Sequence, residues 1–69
     1  MSKSITKRGR MFIYAADVAL ITGRSYKTAL KILNQIRQAY EKPAGALVTY
    51  KEFSAFMYLD EEEVLQMLQ

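Results

Sequence analysis

Asp17 to Asn34 reads D-V-A-L-I-T-G-R-S-Y-K-T-A-L-K-I-L-N, and the fold turns on how this stretch is broken. Val18 and Ile21 lie three apart, the spacing of one helical face, which predicts a helix over Ala15 to Thr22. Gly23 ends it, because glycine readily takes the left-handed conformation that commonly closes a helix. Ser25 then caps a second helix, from about Tyr26 to Tyr40, on which Ala29, Leu33, Ile36 and Tyr40 follow the 3.6-residue period. Pro43, with Gly45, ends that helix and opens a loop. Upstream, Met11 to Tyr14 is a short apolar lead-in.

The pattern recurs 35 residues further on. Ile13 meets Val48, Asp17 meets Glu52, Val18 meets Phe53, Ile21 meets Phe56, Ser25 meets Asp60, Leu30 meets Leu65 and Leu33 meets Leu68, with chemistry and spacing matched more than identity. Thr49-Tyr50-Lys51-Glu52 and Asp60-Glu61-Glu62-Glu63 are both capping-box sequences, so helix starts are expected near Tyr50 and Glu61. Tyr58 stands where Gly23 stands in the first copy. A bulky residue is costly at positive φ, so that turn is either built differently or holds Tyr58 under strain. Phe53, Phe56, Val64 and Leu68 are assigned to the core, and Leu47-Val48 is set to pair with Phe12-Ile13 as a two-stranded ribbon. The expected fold is mostly α, a compact helical domain of two helix-turn-helix-like pairs. Residues 11–42 form the first pair, residues 46–69 the second, and residues 1–10 a flexible basic arm.

Asp17 to Asn34 resembles the helix-turn-helix of DNA-binding bacterial regulators, most closely the lac-repressor-type headpieces. A small residue at Ala19 suits the crossing of the two helices, Gly23 the sharp turn between them, and Ser25 the cap of the recognition helix. Ala29 and Ile32 match positions that pack this helix back on the first. Arg24 and Thr22 depart from the pattern, standing where it has aliphatic residues. The chain as a whole looks more like the small phage and mobile-element regulators of the excisionase type. The resemblance implies sequence-specific binding to double-stranded DNA, as a transcription regulator or a recombination directionality factor. The start of the Tyr26 to Tyr40 helix would enter the major groove while the first helix lies across the backbone.

Charge fits that expectation. Residues 1–45 hold nine Lys/Arg and two Asp/Glu, whereas residues 46–69 hold one Lys and five Asp/Glu. The first part is suited to a polyanion and the second would be repelled by it, the plain alternative being that both are ordinary solvated faces. Arg24, Ser25, Tyr26, Lys27, Lys31 and Asn34 are the candidate DNA contacts on the helix pair. Lys27, Lys31 and Asn34 recur at the spacing of one helix face, where Lys can meet guanine or phosphate and Asn can pair with adenine. The plain alternative for the lysines is a solvated helix face. Tyr26 either reaches a phosphate or stacks inside the fold. Lys7, Arg8 and Arg10, with Lys3, make the arm a candidate to lie along phosphates or in the minor groove, and a merely solubilising tail is the alternative. Asp60 to Glu63 reads as acidic residues complementing a helix dipole, and a surface for a basic partner is the alternative.

Composition narrows the function classes further. The 69 residues are 51% hydrophobic and 25% charged, which is globular composition at a size that bounds the chain to one small domain. With no Cys and no His, disulfides, Cys/His zinc sites, thiol nucleophiles and histidine bases are excluded together. No phosphate loop or metal spacing appears, so no enzyme, cofactor or metal site is expected. No apolar run approaches the roughly 18 residues that span a bilayer, and no secretory signal follows the basic start, so a cytoplasmic protein without membrane contact is expected. A motif this small needs a homodimer or a neighbouring DNA-bound protein for useful specificity, with the outward-facing Leu20 and Leu30 as candidate contacts. The competing class is a protein-interaction adaptor that uses the same helices without touching DNA.

Overall fold

A computed structural model describes residues 11–68. The basic arm, with Lys7, Arg8 and Arg10, lies outside the described residues. The elements run β1 (Phe12–Ile13), α1 (Ala15–Thr22), α2 (Tyr26–Ala39), β2 (Val48–Thr49), α3 (Tyr50–Met57) and α4 (Glu61–Met67). α1 packs on α2 and α3 on α4, so the domain is two helix pairs joined by a short antiparallel ribbon. The ribbon pairs Ile13 with Val48 and Phe12 with Thr49. Its second strand therefore starts one residue later than expected, and Leu47 is left half-exposed outside it.

Local chemistry sets the helix starts. Ser25 Oγ accepts the N–H of Thr28 at 3.1 Å, which caps α2. Thr49 and Glu52 form a full reciprocal box at α3: Thr49 Oγ1 accepts from Glu52 N and Glu52 Oε1 from Thr49 N, each at 3.0 Å. At α1 the Tyr14 N–H donates to Asp17 Oδ2 at 2.9 Å. The box expected at Asp60 and Glu63 is replaced by a shorter loop of bonding, Asp60 Oδ1 accepting from Glu62 N at 3.0 Å. Each cap satisfies a first-turn N–H that has no partner within its helix.

The helix ends differ more. Gly23 (φ 72°) closes α1 with a single bond from its N–H to Ala19 O, 2.9 Å. Thr22 completes that turn, its hydroxyl donating to Val18 O at 2.7 Å and accepting from Arg24 N at 3.2 Å. A hydroxyl at this position thus satisfies turn groups that an aliphatic residue would leave to water. Tyr58 occupies the equivalent left-handed position after α3 (φ 59°), but there two bonds form, Tyr58 N to Ala55 O and Leu59 N to Ser54 O. The turn is both differently built and strained. α2 ends one residue before Tyr40, when Glu41 turns left-handed (φ 56°) and the Glu41 and Lys42 N–H groups bond back to Gln38 O and Arg37 O. Pro43 and Gly45 follow this stop and do not make it.

Ile13, Val18, Ala29, Leu33, Ile36, Val48, Phe53, Val64 and Leu68 are buried in one core shared by both pairs. Phe56 packs partly buried against it, and Tyr40 is exposed, off the buried face to which the period assigned it. Helix starts Tyr26 and Glu61, caps Thr49 and Tyr14, and the facing ribbon residues Ile13 and Val48 all differ by 35. Two residues related by the repeat face each other across antiparallel strands, so the ribbon itself has a local two-fold at that pair.

Candidate nucleic-acid interface

Ser25, Tyr26, Lys27, Lys31 and Asn34 are all exposed, as is Arg24 in the turn before them. At about 100° per residue, Lys27, Lys31 and Asn34 fall within about 60° of arc. Ala29, Leu33 and Ile36 lie on the opposite side of α2 and are buried. A helix whose apolar face is held by the core must present the other face outward, and here that face carries the two lysines and the amide. Tyr26 is 58% exposed at the first position of α2, which removes the option of stacking inside the fold.

Asn34 is less free than its neighbours. Arg37 Nη1 donates to Asn34 Oδ1 at 2.8 Å, and Arg37 Nε donates to Ala46 O at 2.7 Å. Two-bond pairing with adenine would have to share that carbonyl with Arg37, so Asn34 offers chiefly its amide donors, which suit a guanine edge or a phosphate. Arg37 itself ties the loop after α2 to the helix. Lys42 has a similar structural part, its Nζ lying 3.1 Å from Glu52 Oε2 and 3.1 Å from Leu47 O. Neither bond was legible in the sequence, because each joins residues nine or ten positions apart through an irregular loop.

Glu52 sits at the meeting of these contacts. Burial alone would raise its carboxyl, but the Thr49 N–H and the Lys42 ammonium outweigh that and hold it below its ordinary 4.5. On the acidic side, Glu61, Glu62 and Glu63 are exposed in the first turn of α4, on the positions that Tyr26, Lys27 and Thr28 hold in α2. The repeat offset of 35 therefore matches a cationic helix start to an anionic one.

Between the pairs lies a cleft of about 370 Å³ lined by Ile21, Ile32, Met57, Leu59, Val64 and Met67, with Thr22, Arg24 and Glu63 at its edges. Leu20 and Leu30 are 78% and 42% exposed, in keeping with their outward assignment. Among the described residues no group of His, Cys, Asp or Glu is placed to hold a metal ion, and no helix is long and apolar enough to cross a membrane.

The fold and this surface define a small four-helix domain with one cationic helix face. No protein-family model matches the chain, and no curated protein or solved structure matches it.

Proposed function

We propose that this protein binds double-stranded DNA through α2, as a small helix-turn-helix regulator acting in transcription or as a recombination directionality factor. The observation that carries the reading is the exposed stripe of Lys27, Lys31 and Asn34, set opposite the buried face of a helix that follows a tight glycine turn. In this reading the Ser25-capped start of α2 enters the major groove, Lys27 and Lys31 meet base edges or phosphates, and Tyr26 directs its hydroxyl to the backbone. Arg24 lies beside the same helix start. The acidic start of α4 faces away from the duplex, since like charge would repel it.

The test is the double variant Lys27→Ala with Lys31→Ala, assayed by fluorescence anisotropy on duplexes selected from a random pool. Both lysines are exposed and in no ion pair among the described residues, so stability is expected to change by no more than about 0.5 kcal/mol per site. Each lost base contact is expected to weaken specific binding by about 1 to 3 kcal/mol, and each lost phosphate contact to weaken all sequences alike. Glu61→Ala with Glu62→Ala is the matched control and should leave affinity unchanged or slightly raised. A folded double-lysine variant that binds as tightly as wild type would remove α2 as the DNA-reading element. The second reading, an adaptor that binds protein alone, draws on the apolar cleft, and it is favoured if no duplex is bound even at low salt.

A further inference from the structure

We propose that two copies of this chain associate face to face across the cleft, about a two-fold axis that lays the second helix pair of each copy on the first pair of the other. The inference is independent of DNA binding. Val64 forms the buried floor of the cleft, Ile21, Ile32 and Met57 its half-buried walls, and Leu59 and Met67 stand at the mouth, the latter 55% exposed. Apolar surface gathered in a concave site gains by being covered. What covers it is indicated by charge and by shape.

Arg24 marks the edge contributed by the first pair and Glu63 the edge contributed by the second. Both are exposed, and among the described residues neither is in an ion pair. In a two-fold interface, if residue i meets residue j then j meets i. Laying second pair on first sets Arg24 of each copy against Glu63 of the other, twice. The opposite arrangement, first pair on first, would set Arg24 against Arg24 and Glu63 against Glu63. The charge pattern is thus self-complementary in one orientation and repulsive in the other.

Shape favours the same orientation. Tyr58 lies between the cleft residues Met57 and Leu59, is 95% exposed, and is held at a φ of 59° that a tyrosine rarely adopts. In a single chain that strained, projecting ring packs against nothing that would offset its backbone cost. Its counterpart in the first pair is Gly23, where a side-chain carbon would meet nothing within 4 Å. Setting second pair on first brings the ring of each copy over the bare turn of the other. Lys31 and Lys27 lie about 100° and about 140° round α2 from Ile32, so the association leaves the stripe uncovered.

Sedimentation velocity on the full chain, from micromolar to millimolar concentration, tests this. Wild type is expected to show a monomer–dimer equilibrium. Arg24→Glu and Glu63→Arg each turn two attractive contacts into two repulsive ones, and each is expected to raise the dimer dissociation constant by about tenfold or more. An equimolar mixture of the two variants should recover the wild-type constant, because one chain is then doubly acidic at the cleft and the other doubly basic. Tyr58→Gly should weaken association while raising the melting temperature of the dilute monomer, which separates loss of contact from loss of fold. A wild type that stays monomeric to millimolar concentration overturns the proposal and leaves the cleft to a different protein. A dimer that neither charge reversal affects also overturns it, by placing the interface elsewhere.

Discussion

Gly23 and Tyr58 hold the same place in two equivalent turns, with φ of 72° and 59°. For glycine that backbone is free of Cβ strain, whereas for tyrosine it costs on the order of 1 to 2 kcal/mol. Substitutions at the two sites should therefore act in opposite directions. Gly23→Val is expected to destabilise by about 1 to 2 kcal/mol, since a β-branched residue cannot relax at positive φ. Tyr58→Gly is expected to stabilise by up to about 1 kcal/mol in dilute solution, because the exposed ring gives up little packing. Urea denaturation of both variants checks the pair, and a destabilised Tyr58→Gly would mean that the ring packs within its own chain. The repeat made the conflict at Tyr58 legible beforehand. The sequence held no such sign at Glu41, which ends α2 in a left-handed turn although Pro43 and Gly45 stand close by.

At the scale of elements, the caps are the most legible part of the chain and Glu52 the most consequential of them. Its folded carboxyl titrates below the ordinary 4.5 of the unfolded chain, so its stabilising contribution is complete above about that pH. That contribution falls away as the pH drops through the lower, folded value. Glu52→Gln is expected to melt lower than wild type at neutral pH, and the gap should narrow as the pH falls below 4.5. Melting curves between neutral pH and pH 3 provide the measurement, and a gap that is constant throughout would show that the carboxylate charge contributes nothing. Lys42 carries part of this effect, and it also holds the loop after α2 against the start of α3. Arg37 supports the same loop from the other side through Ala46 O. The two cations belong to the basic part of the chain by count and to its internal architecture by contact.

Over the whole molecule, one small core serves both pairs. Leu33→Ala and Phe53→Ala come from different halves of the repeat, yet each is expected to cost about 2 to 5 kcal/mol. A domain of this size rarely has more than about 3 to 5 kcal/mol to lose, so either change should unfold most of the population. Circular dichroism under native conditions checks this, and a variant that unfolded only its own helix pair would show that the core is divided. The DNA reading makes a molecule-wide expectation of its own. If Lys7, Arg8, Arg10, Lys27 and Lys31 each neutralise a phosphate, log affinity should fall against log salt with a slope of about −4.5, at about −0.9 per contact. Replacing Lys7, Arg8 and Arg10 together by Gln should bring that slope to about −1.8. An unchanged slope would remove the arm from the interface.

The order of elements, most of their ends and the cationic face of α2 are all written in short-range patterns of the chain. These follow from interactions within a few residues: caps that reach three positions along the chain, a glycine that closes a turn, and an apolar period that places Lys27, Lys31 and Asn34 opposite Ala29, Leu33 and Ile36. The offset of 35 aligned Ile13 with Val48 as equivalent positions, and the structure sets the two face to face across the ribbon. Long-range packing, by contrast, sets the exposure of Tyr40, the engagement of Arg37 and Lys42 by the loop, and the cleft that the ends of α1 and α3 open against α4 and α2. The reason is physical. Each of these depends on where the chain path sets groups that no local periodicity relates, and packing against a shared core selects that path from many with the same local preferences.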